Sequence, residues 1–266
     1  MALAGVVGWL GWRTGALAPG GALAAIAIGA SVWSAGWRPI FLLLTFFASS
    51  SALSRYHQGS GGGAGRRKAR QVLANGGAAA LLAIRFRATD SPAALTAFAG
   101  ALAAANADTW ASEVGQKLGG APHDLLTGAP VPPGLSGGVT AIGTVAGALG
   151  AAVLGVAATA GGGDRRRFFS TAVGGGVGML ADSLLGATLQ GQYRCASCGA
   201  PSDEPRHGCC GEAELVRGWQ WLDNDLVNLA CTLVGASSAA ALSSLAFGSN
   251  PPVHSRSGRS CVTSGP

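Results

Sequence analysis

The chain has 266 residues, 48% hydrophobic and 11% charged, with a mean hydropathy of +0.36. A soluble domain carries roughly a quarter charged residues, so the deficit excludes an ordinary water-soluble globule and points to a membrane protein. The net charge of +6 rests on 18 Lys and Arg, of which only Lys68 and Lys117 are lysine; a guanidinium-rich excess suits phosphate as well as ordinary juxtamembrane charge.

The opening stretch MALAGVVGWLGWRTG lacks the basic start and small-residue cleavage site of a signal peptide and reads as the end of a helix. A membrane-crossing helix needs about 20 mostly apolar residues. Segments at about 16–36, 39–54 (short), 71–88, 92–110, 136–160 and 168–190 qualify, with a seventh at about 222–247. The expected fold is all-α, a polytopic helical membrane protein with about six to seven transmembrane helices. Its membrane domain covers residues 1–248, and a Ser-, Pro- and Gly-rich disordered tail covers 249–266. The 44 glycines fit closely approaching membrane helices, which associate by backbone packing.

Polar breaks at 54–70, 119–138, 161–167 and 191–218 separate the segments, the last being a Cys-containing polar loop. Strict alternation puts 54–70, 119–138 and 191–218 on one side of the bilayer. Ten of the 18 basic residues fall on that side, so the positive-inside rule barely decides orientation.

Four polar motifs sit at segment ends on that shared side. In GRRKARQVLANGG, residues 65–77, Arg67, Gln71 and Asn75 recur at four-residue spacing and share a helix face. A basic cluster opening a helix suits phosphate, because guanidinium and free backbone N–H groups both meet the anion; lipid headgroups would be met in the same way. In NADTWASEVGQKL, residues 106–118, the residues Asn106, Asp108, Thr109, Ser112, Glu113, Gln116 and Lys117 fall within one half of a helical wheel. A surface amphipathic helix has the same pattern, but this one continues an apolar run, where carboxylates are costly and face a cavity, partner or ion.

ADSLLGATLQGQ, residues 181–192, places Asp182, Gly186 and Gln190 at four-residue spacing. WLDNDLVN, residues 221–228, places Asn224 and Asn228 on one face with Asp225 between them, and capping explains Asp223 or Asn224 alone. SGGVT at 136–140 begins on the same side. Such a face offers carboxylates for a hard divalent cation such as Mg²⁺ and arginines for phosphate. No P-loop or kinase catalytic-loop signature is present, and GSGGGAG at 59–65 reads as a flexible loop.

Six cysteines in so long a chain do not form a disulfide framework. Cys195, Cys198, Cys209 and Cys210, with His207 nearby, offer a thiolate Zn²⁺ site, although adjacent Cys209 and Cys210 are unusual geometry for one. Reduced structural cysteines are the default reading.

With ANGG, NADTWASEVG, SGGVT, DSLLGATLQ and NDLVN, the chain resembles the transmembrane protein 19 family of multi-pass membrane proteins over most of residues 1–245. That family includes plant and cyanobacterial phytyl-phosphate kinases. The resemblance implies a nucleotide-dependent kinase that converts an isoprenyl monophosphate, such as phytyl phosphate, to the diphosphate used in tocopherol or isoprenoid quinone synthesis. Mg²⁺ with CTP or another nucleoside triphosphate would be its cofactors. A lipid bilayer and the isoprenyl phosphate would be its partners, with no nucleic acid, and in a photosynthetic eukaryote its site would be a chloroplast membrane.

Carried to this sequence, Asp108, Glu113, Asp182 and Asp225 are the expected Mg²⁺ and catalytic carboxylates. Arg66, Arg67 and Arg70 are the expected phosphate contacts, with Asn75, Asn106 and Asn228 as orienting groups. A transporter using the carboxylates for ion coupling, or a non-catalytic membrane scaffold, are the rival readings.

Overall fold

A computed structural model describes residues 2–58, 66–206, 208–209 and 212–247. Among these, eight helices make up most of the fold: α1 (Ala2–Arg13), α2 (Pro19–Ser34), α3 (Trp37–Gln58), α4 (Ala69–Thr89), α5 (Pro92–Leu118), α6 (Ala141–Thr159), α7 (Arg165–Thr188) and α8 (Asn224–Phe247). The helices α2 to α8 fall where the seven apolar segments are expected.

Helix α5 is the axis of the bundle. Pro92 occupies its first turn, where no amide partner is lost, and the Ser91 hydroxyl accepts from the Ala94 amide at 3.4 Å. Every residue from Ala94 to Ala107 is buried. A helix apolar all round is one enclosed on all sides, and here α3, α4, α6, α7 and α8 enclose it.

The interior is built mainly from small side chains, with a few large ones such as Phe98, Leu102 and Leu154, and many large ones lie on the exterior. Ala99, Ala101, Ala103, Ala104 and Ala239 are almost wholly buried, whereas Val145, Leu149 and Val156 of α6, Phe169 and Val173 of α7, and Leu233 and Leu245 of α8 are exposed. Small residues let helix backbones approach closely, and a continuous apolar exterior needs an apolar solvent. Helices α6, α7 and α8 are long and apolar enough to cross a membrane; α2 is apolar but only 16 residues long. In α3 and α4 apolarity is diluted by a polar end, Ser49–Gln58, and by Arg85 and Arg87 respectively.

Two small sheets lie between helices. β1 (His123–Asp124) pairs antiparallel with β2 (Gly138–Val139). The expected polar loop at 191–218 instead contains a three-stranded antiparallel sheet of β3 (Gln192–Cys195), β4 (Pro201–Ser202) and β5 (Ala213–Arg217), in the order β4-β3-β5. Strands of two to five residues are too short for alternation to announce them in the sequence.

The helix ends converge as alternation requires. The end of α3 meets the end of α5 through Ser54 and Glu113, and the start of α4 meets the start of α8 through Arg70 and Asp223. The end of α7 meets the β2 loop, where a Cβ on Gly137 would stand 2.5 Å from the Ala187 backbone. With φ of +82° as well, position 137 admits only glycine.

Candidate functional site

Asp108 of α5 and Asp182 of α7 face the same cavity of about 390 Å³. Four-residue spacing puts Asp108, Ser112 and Gln116 on the cavity side of α5, and Asn224 and Asn228 on that of α8. The loop from Pro133 to Thr140 closes the remaining side. The Asp182 Oδ2 atom is enclosed yet has no hydrogen-bond partner among the described residues, and the Asp108 carboxylate is close enough to act on it electrostatically. A buried acceptor without a donor, beside a second negative charge, calls for a cation. Carboxylates, amides and hydroxyls are hard oxygen donors, so these residues fit Mg²⁺.

A second cavity, of about 180 Å³, shares Asp108, Ser112 and Asn228 with the first and adds Arg67, Gln71, Asn75 and Glu113. Arg67 is held from two directions. Its backbone pairs with the α1–α2 turn through Ala16 and Ala18, both at 3.0 Å. Its guanidinium donates to the Ser54 hydroxyl at 3.2 Å, and Ser54 donates to Glu113 Oε1 at 2.7 Å.

Arg67, Gln71 and Asn75 also end a third cavity, of about 120 Å³, whose walls are apolar side chains of α1 to α4, including Ile28, Val32, Leu43 and Phe47. An apolar groove thus runs into a basic polar pocket, and that pocket runs into the carboxylate cavity.

Several expected site residues have other tasks. Asn106 is fully buried; its Oδ1 accepts from Ser49 and Ser50 at 2.8 and 3.0 Å, and its amide donates to the Gly150 carbonyl at 2.9 Å, tying α5 to α3 and α6. Asn106→Ala leaves the buried Ser50 hydroxyl without its partner and cuts the ties to Ser49 and the Gly150 carbonyl, which costs on the order of 1–3 kcal/mol. Its thermal unfolding midpoint in detergent is expected to fall, with substrate affinity in the folded fraction unchanged.

Asp225 lines none of the three cavities. Arg70 binds Asp223 at 2.6 Å and Asp225 at 3.5 Å, stapling α4 to α8. The Asp223 carboxylate also caps α8 by accepting from the Leu226 amide at 3.1 Å. Arg66 is exposed and likewise lines none of these cavities.

The loop carrying Gly137 has an anchor that no sequence motif signals. Asp203 Oδ2, beyond β4, accepts from the Ser136 amide at 2.9 Å and the Ser136 hydroxyl at 2.8 Å. Gln190 donates to the same hydroxyl at 2.8 Å. Burial pushes the Asp203 carboxyl above the ordinary carboxylate range, against the Ser136 donors that pull it down. At β1, the Thr127 amide, with further donors on Thr127, Leu126 and Arg217, holds Asp124 below that range despite its burial. Arg217 reaches Asp124 at 3.4 Å, a second tie between sheet and loop.

In the sheet, Cys209 Sγ lies 3.3 Å from Cys195 Sγ and 3.5 Å from Cys198 Sγ. Backbone N–H of Cys198, with Cys209 next in weight, brings the Cys195 thiol down to about 6. Cys210, the fourth expected thiolate, lies outside the described residues, as do His207, the glycine-rich stretch 59–65 and the tail 249–266.

Among known proteins, the family model described as "Integral membrane protein DUF92" matches residues 2–236. An uncharacterized membrane protein of Methanocaldococcus jannaschii is 37% identical over 97 residues, which is 36% of this chain and 41% of that relative. The chain therefore spans less than half the length of this curated relative. No solved structure matches.

Proposed function

The chain belongs to the integral membrane family DUF92, the family its motifs resemble, and on that premise we propose that it is a membrane-embedded kinase acting on an isoprenyl monophosphate. The observation that carries this is the continuity of three environments: an apolar groove, a pocket entered by Arg67, and a cavity holding Asp108 and Asp182. A long apolar tail with one phosphate at its end is the ligand that matches the first two in that order.

The tail lies along α1 to α4, and its phosphate meets Arg67, whose planar fork binds two oxygens at once. The triphosphate of the donor nucleotide lies in the larger cavity, against the loop from Ser136 to Thr140 and the start of α6. Divalent metal held by Asp108 and Asp182 would offset the charge of the two phosphates brought together there. An oxygen of the acceptor phosphate attacks the γ-phosphorus in line, the bond from that phosphorus to the β,γ-bridging oxygen breaks, and the nucleoside diphosphate leaves.

No protein base is required, because a phosphate monoester has a second pKa of about 6 and its attacking oxygen is already deprotonated at neutral pH. What the chain contributes is position: Arg67 on one phosphate, with Asp108, Ser112 and Asn228 at the junction of the two cavities. The diphosphate product suits tocopherol or isoprenoid quinone synthesis, and in a photosynthetic eukaryote a chloroplast membrane is the matching location.

The test is purified protein in nanodiscs with Mg²⁺, phytyl phosphate and shorter or longer isoprenyl phosphates, and each nucleoside triphosphate in turn. Diphosphate is expected from at least one pairing. Arg67→Ala is expected to raise the KM for the isoprenyl phosphate roughly 10- to 100-fold, the worth of a charged hydrogen bond. Arg70→Ala acts on the α4–α8 staple instead and is expected to lower stability with less effect on KM. No diphosphate from any pairing, or equal KM effects at the two arginines, would sink this reading.

A further inference from the structure

The three thiols of Cys195, Cys198 and Cys209 lie within 4.8 Å of one another, around a sheet that has almost no core of its own. Tyr193 and Cys195 are buried in β3, and β4 has two residues. So small a unit needs a staple to hold a fixed shape. A disulfide is a poor account of the geometry. Its sulfurs bond at about 2.05 Å and join in pairs, whereas Cys209 is about equally distant, at 3.3 and 3.5 Å, from two partners. Thiolates bound at about 2.3 Å to one tetrahedral ion stand about 3.8 Å apart, so a slight opening of the contacts at 3.3 and 3.5 Å admits an ion between the three sulfurs.

Backbone donors support the same conclusion. The amides of Ser197 and Cys198 point at Cys195 Sγ, and the Gly199 amide donates to the Cys195 carbonyl at 2.9 Å, folding the Cys-x-x-Cys turn around the sulfur. Soft thiolates with no carboxylate among them select zinc over magnesium or calcium.

The sheet so stapled does something specific. The chain runs from the Cys-x-x-Cys turn through β4 directly to Asp203, which holds the amide and hydroxyl of Ser136. Ser136 precedes Gly137 and Gly138, the loop that closes the carboxylate cavity. We infer that Cys195, Cys198 and Cys209 hold a structural zinc ion whose purpose is to fix Asp203, and through it the glycine loop at the mouth of the cavity. The inference stands apart from the kinase reading, because it concerns the shape of the loop whatever the cavity binds.

The experiment uses the full-length protein purified in detergent. Metal analysis is expected to find about one zinc per chain, the stoichiometry of one closed thiolate site, and Cys195→Ser and Cys209→Ser are expected to lose most of it. Because those variants can fail to fold, the second measurement uses wild type stripped with a chelator and then resupplied with zinc. Stripping is expected to speed amide hydrogen exchange at residues 136–140 by about tenfold or more, as a clamp is released, and zinc alone restores protection. Asp203→Asn is expected to retain zinc and still show the faster exchange. Absence of zinc in folded wild type, a disulfide joining Cys209 to Cys195 or Cys198, or loop exchange unchanged by stripping would each overturn the proposal.

Discussion

Asp182→Asn is expected to slow phosphoryl transfer about 10²- to 10³-fold and, at the same time, to make the metal-free protein harder to unfold. The two effects share one cause. Asp182 Oδ2 is enclosed without a donor among the described residues and lies within electrostatic reach of the Asp108 carboxylate, so without metal the site disfavours a charge on both carboxyls at once. An amide at 182 cannot ionise and so removes that conflict; two unit charges even as near as about 4 Å interact by no more than about 1–4 kcal/mol at the effective dielectrics of water and protein surface. A gain of even about 1 kcal/mol moves the unfolding midpoint by a few degrees in a chain of this size.

Activity runs the other way, because that conflict is what a divalent cation would relieve. Losing one preorganised electrostatic group of this kind costs about 10²- to 10³-fold in rate. A third reading ties the two together. Wild type is expected to gain stability with rising Mg²⁺ as ligand binding drains the unfolded state, and the variant is expected to gain far less. Thermal unfolding in detergent across a Mg²⁺ series, beside the nanodisc assay, measures all three. A variant that is less stable without Mg²⁺, or that keeps both activity and the Mg²⁺ response, would show that Asp182 is an ordinary structural carboxylate.

The polar face of NADTWASEVGQKL was legible because helical spacing is a local property: Asp108, Ser112 and Gln116 do line one cavity. Asn106 shares that arc but does not line that cavity. It lies about 200° around the helix from Asp108 at 100° per residue, at the opposite edge of the same polar arc, and so meets α3 and α6 while Asp108 meets the cavity. Asp225 likewise stands apart from the two asparagines on either side of it. It stands about 100° from Asn224 and reaches Arg70, whereas Asn224 and Asn228 reach the cavity.

Helix α5 shows a second limit. An apolar run reads alike whether lipid or protein surrounds it, so the sequence marked 92–110 as one membrane span among seven. The fold makes it the buried axis. The Asp203–Ser136 clamp was beyond reach of the sequence altogether, since it joins residues 67 positions apart through a sheet too short to carry a pattern.

Gly235→Val is expected to cost more stability than any other single change discussed above, because the three central helices meet at that point through backbone. A Cβ at 235 would stand 2.5 Å from the Ala104 Cβ of α5, 2.8 Å from the Gly100 carbonyl oxygen and 3.3 Å from the Gly174 carbonyl oxygen of α7. None of these is the end of a flexible side chain, so helices must move apart to admit it. Overpacking a core costs typically about 1–3 kcal/mol when side chains can yield, and a branched residue against backbone on two sides belongs at or beyond the top of that range.

Gly176 supplies the contrast. It lies on α7 among the same glycines, yet a Cβ there meets nothing within 4 Å. Gly176→Ala is expected to be neutral or to stabilise by up to about 1 kcal/mol through helix propensity. Gly235→Ala, the milder wedge, carries the functional half of the prediction. Asn228 lies seven residues before it on α8, and Asp108 lies four residues after Ala104 on α5. Spreading α5 from α8 therefore widens the junction where those two side chains share both polar cavities, and catalysis is expected to fall at temperatures where the variant remains folded. Unfolding midpoints for the three variants, with diphosphate formation measured well below each midpoint, check the whole set; a Gly235→Val midpoint equal to wild type would mean that the helices do not meet through backbone here.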